Sequence, residues 1–149
     1  NGIYVLCKTS NTGSDAIQNV LVSKNSAQTS VFSLYEHIAE IFVECDVSNQ
    51  IGLVVGGNCI DELQTIHRKF PSTPLLLPGI GSQGGKIEEV TSIIDNYAES
   101  SATKNSIEKH NNNIVNVSRS VIYASTGKDW KEAARKKART FNLNLGSGM

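Results

Sequence analysis

Pro78-Gly79-Ile80-Gly81-Ser82-Gln83-Gly84-Gly85 stands directly after the apolar run Leu75-Leu76-Leu77 and directly before a helical pattern carried by Ile87, Val90, Ile93, Ile94 and Tyr97. An apolar strand that stops at Pro-Gly and opens into a helix is the strand-to-helix turn of a parallel α/β structure. Four glycines within seven residues let backbone N–H groups approach an anion, and the helix that follows can aim its positive end at the same point. A phosphate is the natural guest. The loop is not a Walker loop, since no Gly-Lys-Ser/Thr follows, and it is not a G-x-G-x-x-G turn with an acidic partner. An ordinary βα turn without a ligand would use the same residue types, so the loop by itself leaves the guest open.

Working outward, the same alternation repeats. Ile3-Tyr4-Val5-Leu6-Cys7 and Ile51-Gly52-Leu53-Val54-Val55 read as buried strands, the second ending in Gly56-Gly57-Asn58; Ile114-Val115-Asn116-Val117 is a further one, stopping at Ser118-Arg119. Between them the apolar period lengthens to that of a helix. With Ser30 as N-cap, Val31, Leu34, Tyr35, Ile38 and Phe42 share one face; Asn58 caps a shorter helix with Ile60, Leu63 and Ile66; Trp130, Ala133, Ala134 and Ala138 mark one that starts near Asp129. The fold class is α/β, either an open parallel sheet or a βα barrel. Two segments break the rhythm. Gln18 to Ser30 is a polar connection, and Asp95 to Asn113, rich in Asn, Ser, Lys and Glu, reads as a mobile surface insertion.

Composition excludes several classes of function. In 149 residues, 14 Lys+Arg balance 14 Asp+Glu, so the chain lacks the basic surface a nucleic-acid binder needs. No apolar run approaches the roughly 18 residues of a membrane span. The first residues lack a basic segment and a cleavage site, so a signal peptide is not expected. Three cysteines, Cys7, Cys45 and Cys59, form neither CxxC nor metal spacing, and an odd number argues for a reducing compartment such as the cytoplasm. His37, His67 and His110 are scattered, with no ligand spacing, so no metal is expected.

The glycine loop gains a partner in Arg119, placed at the tip of the strand that would neighbour it. Arginine suits bidentate phosphate contact, and the loops after the last two strands of a βα barrel form its recurrent phosphate site. A surface ion pair is the competing reading of Arg119. Lys8, also at a strand tip, is expected in an ion pair or a loop-supporting role. Cys7 and Cys59 read as packing residues. The run Arg135, Lys136, Lys137, Arg139 reads as the solvated face and charged C-terminal turn of the last helix.

Taken together, five stretches resemble the orotidine 5'-phosphate decarboxylase family, in the branch that carries a Thr-Ser-Asn loop. They are Val5 to Asn11, containing Thr9-Ser10-Asn11; Leu34-Tyr35-Glu36-His37-Ile38-Ala39-Glu40; Gly52 to Gly56; Pro78 to Gly85; and Asn116 to Ser125, containing Ser118-Arg119. They keep the family's order and run nearly end to end. The resemblance implies a (β/α)8 TIM barrel, of which residues 1–149 supply the C-terminal half, strands five to eight with their helices. It implies that Ser10, beside Thr9, hydrogen-bonds the pyrimidine edge and that Pro78 lies near the base. Gln83 resembles the glutamine that reaches phosphate and base from a closing loop. Arg119 resembles the phosphate arginine, with the N–H groups of Ser118 and Arg119 beside it.

Family members convert orotidine 5'-monophosphate to UMP and CO2 in pyrimidine biosynthesis, without metal or organic cofactor, as cytoplasmic homodimers. Their catalysis is assigned to an Asp/Lys network written partly as Asp-x-Lys-x-x-Asp. None of Asp15, Asp46, Asp61, Asp95 and Asp129 begins that pattern, so this chain is expected to hold the grip and to depend on an N-terminal half for the chemical step. The length agrees, since such a barrel takes about 250 residues. Thr12, Asn58 and Ser82 depart from the family's common Pro, Thr and Ala. The alternatives are another phosphosugar-handling βα barrel of the same superfamily and a catalytically empty nucleotide-phosphate binding module. The Thr9-Ser10-Asn11 loop speaks against the first, and the two uncapped sheet edges of a lone half barrel speak against the second.

Overall fold

The computed structural model describes residues 2–24, 31–100 and 112–146. In chain order the elements are β1 (Ile3–Lys8), α1 (Asp15–Gln18), β2 (Leu21–Val22), β3 (Phe32–Ser33), α2 (Leu34–Glu44), β4 (Ile51–Val55), α3 (Ile60–Lys69), β5 (Leu75–Leu77), α4 (Ile87–Ser100), β6 (Ile114–Val115), α5 (Arg119–Ile122) and α6 (Trp130–Gly146). The four runs expected as strands pair in the order β1-β4-β5-β6, all parallel, while β2 and β3 form a separate antiparallel pair. Parallel pairing puts the C-terminal ends of all four strands on one edge.

The two faces of the sheet differ. Cys7, Leu53, Val55, Leu75 and Leu77 point to the side covered by helices and are fully buried with Ala39, Leu63, Ile66 and Val90. Burying side chains of this size contributes about 1.5–3 kcal/mol each. On the other face the register aligns Leu6, Val54, Leu76 and Ile114 across all four strands. Leu6 and Ile114 there are 57% and 49% exposed, and Tyr4, one pair further along, is 40% exposed. An apolar stripe of this kind, open on one face, is the inward side of a barrel wall without its opposite wall.

Several boundaries differ from the sequence reading. The cap of α2 is Ser33, three residues beyond Ser30, because Glu36 reaches back to accept the Ser33 N–H at 3.1 Å and closes a capping box. Val31 therefore lies ahead of the helix, and Ser30 falls outside the described residues. Cys59, not Asn58, precedes the first turn of α3. That helix carries Asp61 and Glu62 in its first turn and Arg68 and Lys69 in its last, in line with its dipole. Helix α4 extends to Ser100, so the polar stretch begins inside a helix; residues 101–111 of the proposed insertion lie outside the described residues.

In α6, Trp130 is 53% exposed, and Phe141 is the residue that packs against the core. Arg135 to Arg139 are solvated as expected, but they sit mid-helix, since α6 runs on to Gly146.

Candidate functional site

At the C-terminal edge of the sheet, the loops after β1, β4 and β5 and the start of α5 enclose an open cleft of about 740 Å³. Of the six residues singled out from the sequence, Ser10, Gln83 and Arg119 line it. Ser10 and Gln83 are 73 residues apart in the chain, and Arg119 lies 36 beyond Gln83. The Ser10 hydroxyl donates to Gln83 Oε1 at 3.4 Å, so the loop expected at the pyrimidine edge and the loop expected to close are already in contact.

The glycine loop is shaped by its own hydrogen bonds. Gly81 N–H donates to the Gly85 carbonyl (2.8 Å), Gly84 to Gly81 (3.0 Å) and Gly85 to Gly79 (3.1 Å). These amides are turned into the loop, which leaves the Gln83 side chain to face the cleft. Gly79 has φ +94°, and a Cβ there would lie 2.7 Å from Ser10 Cβ. Only glycine permits both the backbone angle and the approach of the two loops.

Thr9, Pro78 and Ser118 are not among the residues lining the cleft. Thr9 spends both its N–H (3.0 Å) and its hydroxyl (3.3 Å) on Gln18 Oε1. Pro78 offers its carbonyl to the Gly57 N–H at 2.7 Å. Ser118 precedes α5, accepts the N–H groups of Val121 and Ile122 (3.0 and 2.9 Å) and donates its hydroxyl to Asn116 Oδ1 (3.1 Å). Arg119 thus heads a short helix instead of ending a strand, and the first N–H groups of that turn have no intrahelical acceptor.

Two residues matter more than the sequence suggests. Asn58 donates from Nδ2 to the carbonyls of Ser10 (3.0 Å) and Gln83 (3.3 Å), joining the same two loops. Its position, directly after the Gly56-Gly57 pair that follows the strand, is the one signal that marks it. Lys8 has no exposed side-chain surface; its ammonium pairs with Asp15 at 2.5 Å and Glu62 at 3.3 Å and donates to Asn19 Oδ1 at 2.8 Å.

Lys8 reaches that place through a bulge. The β1–β4 register shifts between Leu6 and Lys8, which puts Cys7 and Lys8 both on the helix-covered side. Burial alone would lower the Lys8 pKa, but the hydrogen bond to Asp15 and the charge of Glu62 outweigh it and hold the value above 10.5. Asp15 and Glu62 line the cleft, so the ammonium beneath them offsets negative charge that would repel an entering phosphate.

Cys7 and Cys59 are thiols in this setting. Burial pushes Cys7 up to about 12, and its Sγ donates to the Tyr35 carbonyl at 3.2 Å. Burial likewise raises Cys59. Among the described residues no three His, Cys, Asp or Glu side chains group as a metal site would require, and no helix is long and apolar enough to cross a membrane. His110 falls outside the described residues.

Parallel strands with one apolar face uncovered, and an open cleft at their C-terminal ends, define the class: one wall of a βα barrel. No family model matches the sequence. The chain is 42% identical over 139 residues to the orotidine 5'-phosphate decarboxylase of Herpetosiphon aurantiacus, covering 93% of this chain and 44% of that protein. Among solved structures, Leishmania donovani UMP synthase superposes with a TM-score of 0.69 at 27% identity, over 98% of this chain and 28% of that one. Leishmania donovani OMP decarboxylase gives 0.64 at 25% identity, over 97% and 48%. The chain belongs to the orotidine 5'-phosphate decarboxylase family. It spans a little under half the length of the curated relatives it matches, and its sheet with alternating helices is half of a TIM barrel.

Proposed function

We propose that this chain is the C-terminal half, strands five to eight, of an enzyme that converts orotidine 5'-monophosphate to UMP and CO2. In this reading residues 95–113 are a surface insertion, and the assembled enzyme is a cytoplasmic homodimer. The observation that carries the proposal is the convergence of Ser10, Gln83 and Arg119 on one cleft at the C-terminal edge of a parallel sheet. The open apolar stripe through Leu6, Val54, Leu76 and Ile114 supports an N-terminal half as the missing wall.

The residues divide the work. Arg119, with the N–H groups of Ser118 and Arg119, takes the phosphate, Gln83 spans phosphate and base, Ser10 meets the pyrimidine edge, and Pro78 flanks the base. No group in the cleft pairs an Asp with a Lys in the spacing Asp-x-Lys-x-x-Asp, so the proton that replaces CO2 comes from the other half. Phosphate contacts far from the reacting carbon contribute by holding the loops closed in the transition state.

The test follows the fall in ultraviolet absorbance as substrate is consumed. The 149-residue chain alone is expected to be inactive and the chain joined to its N-terminal half active. In the joined enzyme Arg119→Ala should lower kcat/KM by about 10-fold to 100-fold, the equivalent of one or two charge-assisted hydrogen bonds. Turnover by the 149 residues alone, or an Arg119→Ala enzyme with unchanged kcat/KM, would overturn it.

A further inference from the structure

We infer that Asn58 is a positioning residue that latches the glycine loop to the Thr9-Ser10-Asn11 loop, holding Gln83 and Ser10 across the cleft before a ligand arrives. The inference rests on the functional reading above for what the latch serves, and on geometry alone for its existence.

A carboxamide has two N–H donors on one nitrogen, and Asn58 directs that nitrogen to two carbonyls on different loops, Ser10 at 3.0 Å and Gln83 at 3.3 Å. Its Oδ1 lies 3.6 Å from the Cys59 thiol, whose single hydrogen also has the Thr9 carbonyl within reach at 3.5 Å. The sequence separations are 48 and 25 residues, so the side chain joins segments that no local turn connects.

The side-chain contact from Ser10 to Gln83 is long, at 3.4 Å, and cannot alone hold the loops in register. Asn58 acts on the backbone of both, which fixes where their side chains start. A loop held in its bound geometry gives up less conformational freedom when ligand binds, so the latch raises affinity.

Asn58→Asp is the sharpest variant, because it keeps the shape and removes both donors; Asn58→Ala serves if the carboxylate disturbs folding. In the joined enzyme without ligand, the amides of residues 79–85 should exchange with deuterium about tenfold faster in either variant, with those of Leu53 and Leu75 unchanged. Equal exchange in the loop, or equally faster exchange in the core, overturns the latch. UMP affinity should fall about tenfold in the wild-type background and stay nearly constant when Gln83→Ala is already present. A tenfold loss in both backgrounds overturns action through Gln83. If the wild-type enzyme fails to bind UMP, the functional reading fails, and the exchange measurement still decides the latch.

Discussion

Lys8→Met removes an ammonium with no exposed surface while keeping most of the side-chain volume. Breaking a buried ion pair by taking one partner costs about 3–5 kcal/mol when the other is left stranded in the interior. Here the partners differ. The Asp15 side chain is 75% exposed and rehydrates freely, whereas that of Glu62 is 17% exposed and, among the described residues, keeps the Asn19 Nδ2 donor at 3.1 Å. A stranded half-buried carboxylate costs about 1–3 kcal/mol, and the lost bond to Asn19 about 1 kcal/mol. The expected loss is therefore about 2–4 kcal/mol, read from urea unfolding of the joined enzyme by circular dichroism. Adding Glu62→Gln should return at least about 1 kcal/mol, since the stranded charge goes. A loss below about 1 kcal/mol for Lys8→Met, or no recovery in the double variant, refutes the reasoning. The pH dependence has a fixed sign. The folded-state pKa of Lys8 lies above its ordinary 10.5, so its contribution is complete below 10.5 and disappears only as pH rises through the folded value. The gap between wild type and Lys8→Met should be constant from neutrality to about 10.5 and close as pH rises from there through the folded value.

Gly79→Ala and Gly84→Ala form a matched pair. Both residues have φ near +93° (+94° and +93°), but a Cβ on Gly84 meets nothing within 4 Å while one on Gly79 meets Ser10. Unfolding titrations should show about 1–2 kcal/mol for Gly84→Ala, the cost of the left-handed backbone, and more for Gly79→Ala, with weaker UMP binding only in the latter. Thiol labelling at pH 8 should modify the exposed Cys45 quickly and spare Cys7, which is buried and has its pKa pushed up to about 12; fast labelling of Cys7 in the folded enzyme would contradict the packing described.

Much of the fold is legible because its signals are local. Leu75 to Gly85 is a strand, a turn and a helix entry written in consecutive residues, and the periods through Leu63 and Ile66, or Ile87, Val90 and Ile94, need no knowledge of neighbours. The boundaries that shift are those decided by competition. Ser30 and Ser33 are both acceptable caps in sequence, and Glu36, three residues past the second, makes the choice. Trp130 has the hydrophobicity of a core residue, but its place at the start of α6 leaves it half exposed while Phe141 reaches the core.

Sequence by itself determined the parallel α/β class, the glycine loop, and the three side chains that converge on the cleft, Ser10, Gln83 and Arg119. The class, the glycine loop and Arg119 are written in residue types within short windows, whereas Ser10 and Gln83 are marked by the family resemblance. Tertiary structure alone decided where Lys8 and Asn58 act and which way Thr9 turns. Strict alternation along β1 would set Lys8 on the open face with Tyr4 and Leu6; one bulged residue carries it to the buried side, between Asp15 and Glu62. Asn58 is an unremarkable polar residue until the sheet brings the Ser10 and Gln83 carbonyls within reach of one amide nitrogen. The physical reason is common to both: a polar group's role is set by the partners that meet it after long-range pairing, and those partners lie tens of residues away in the chain.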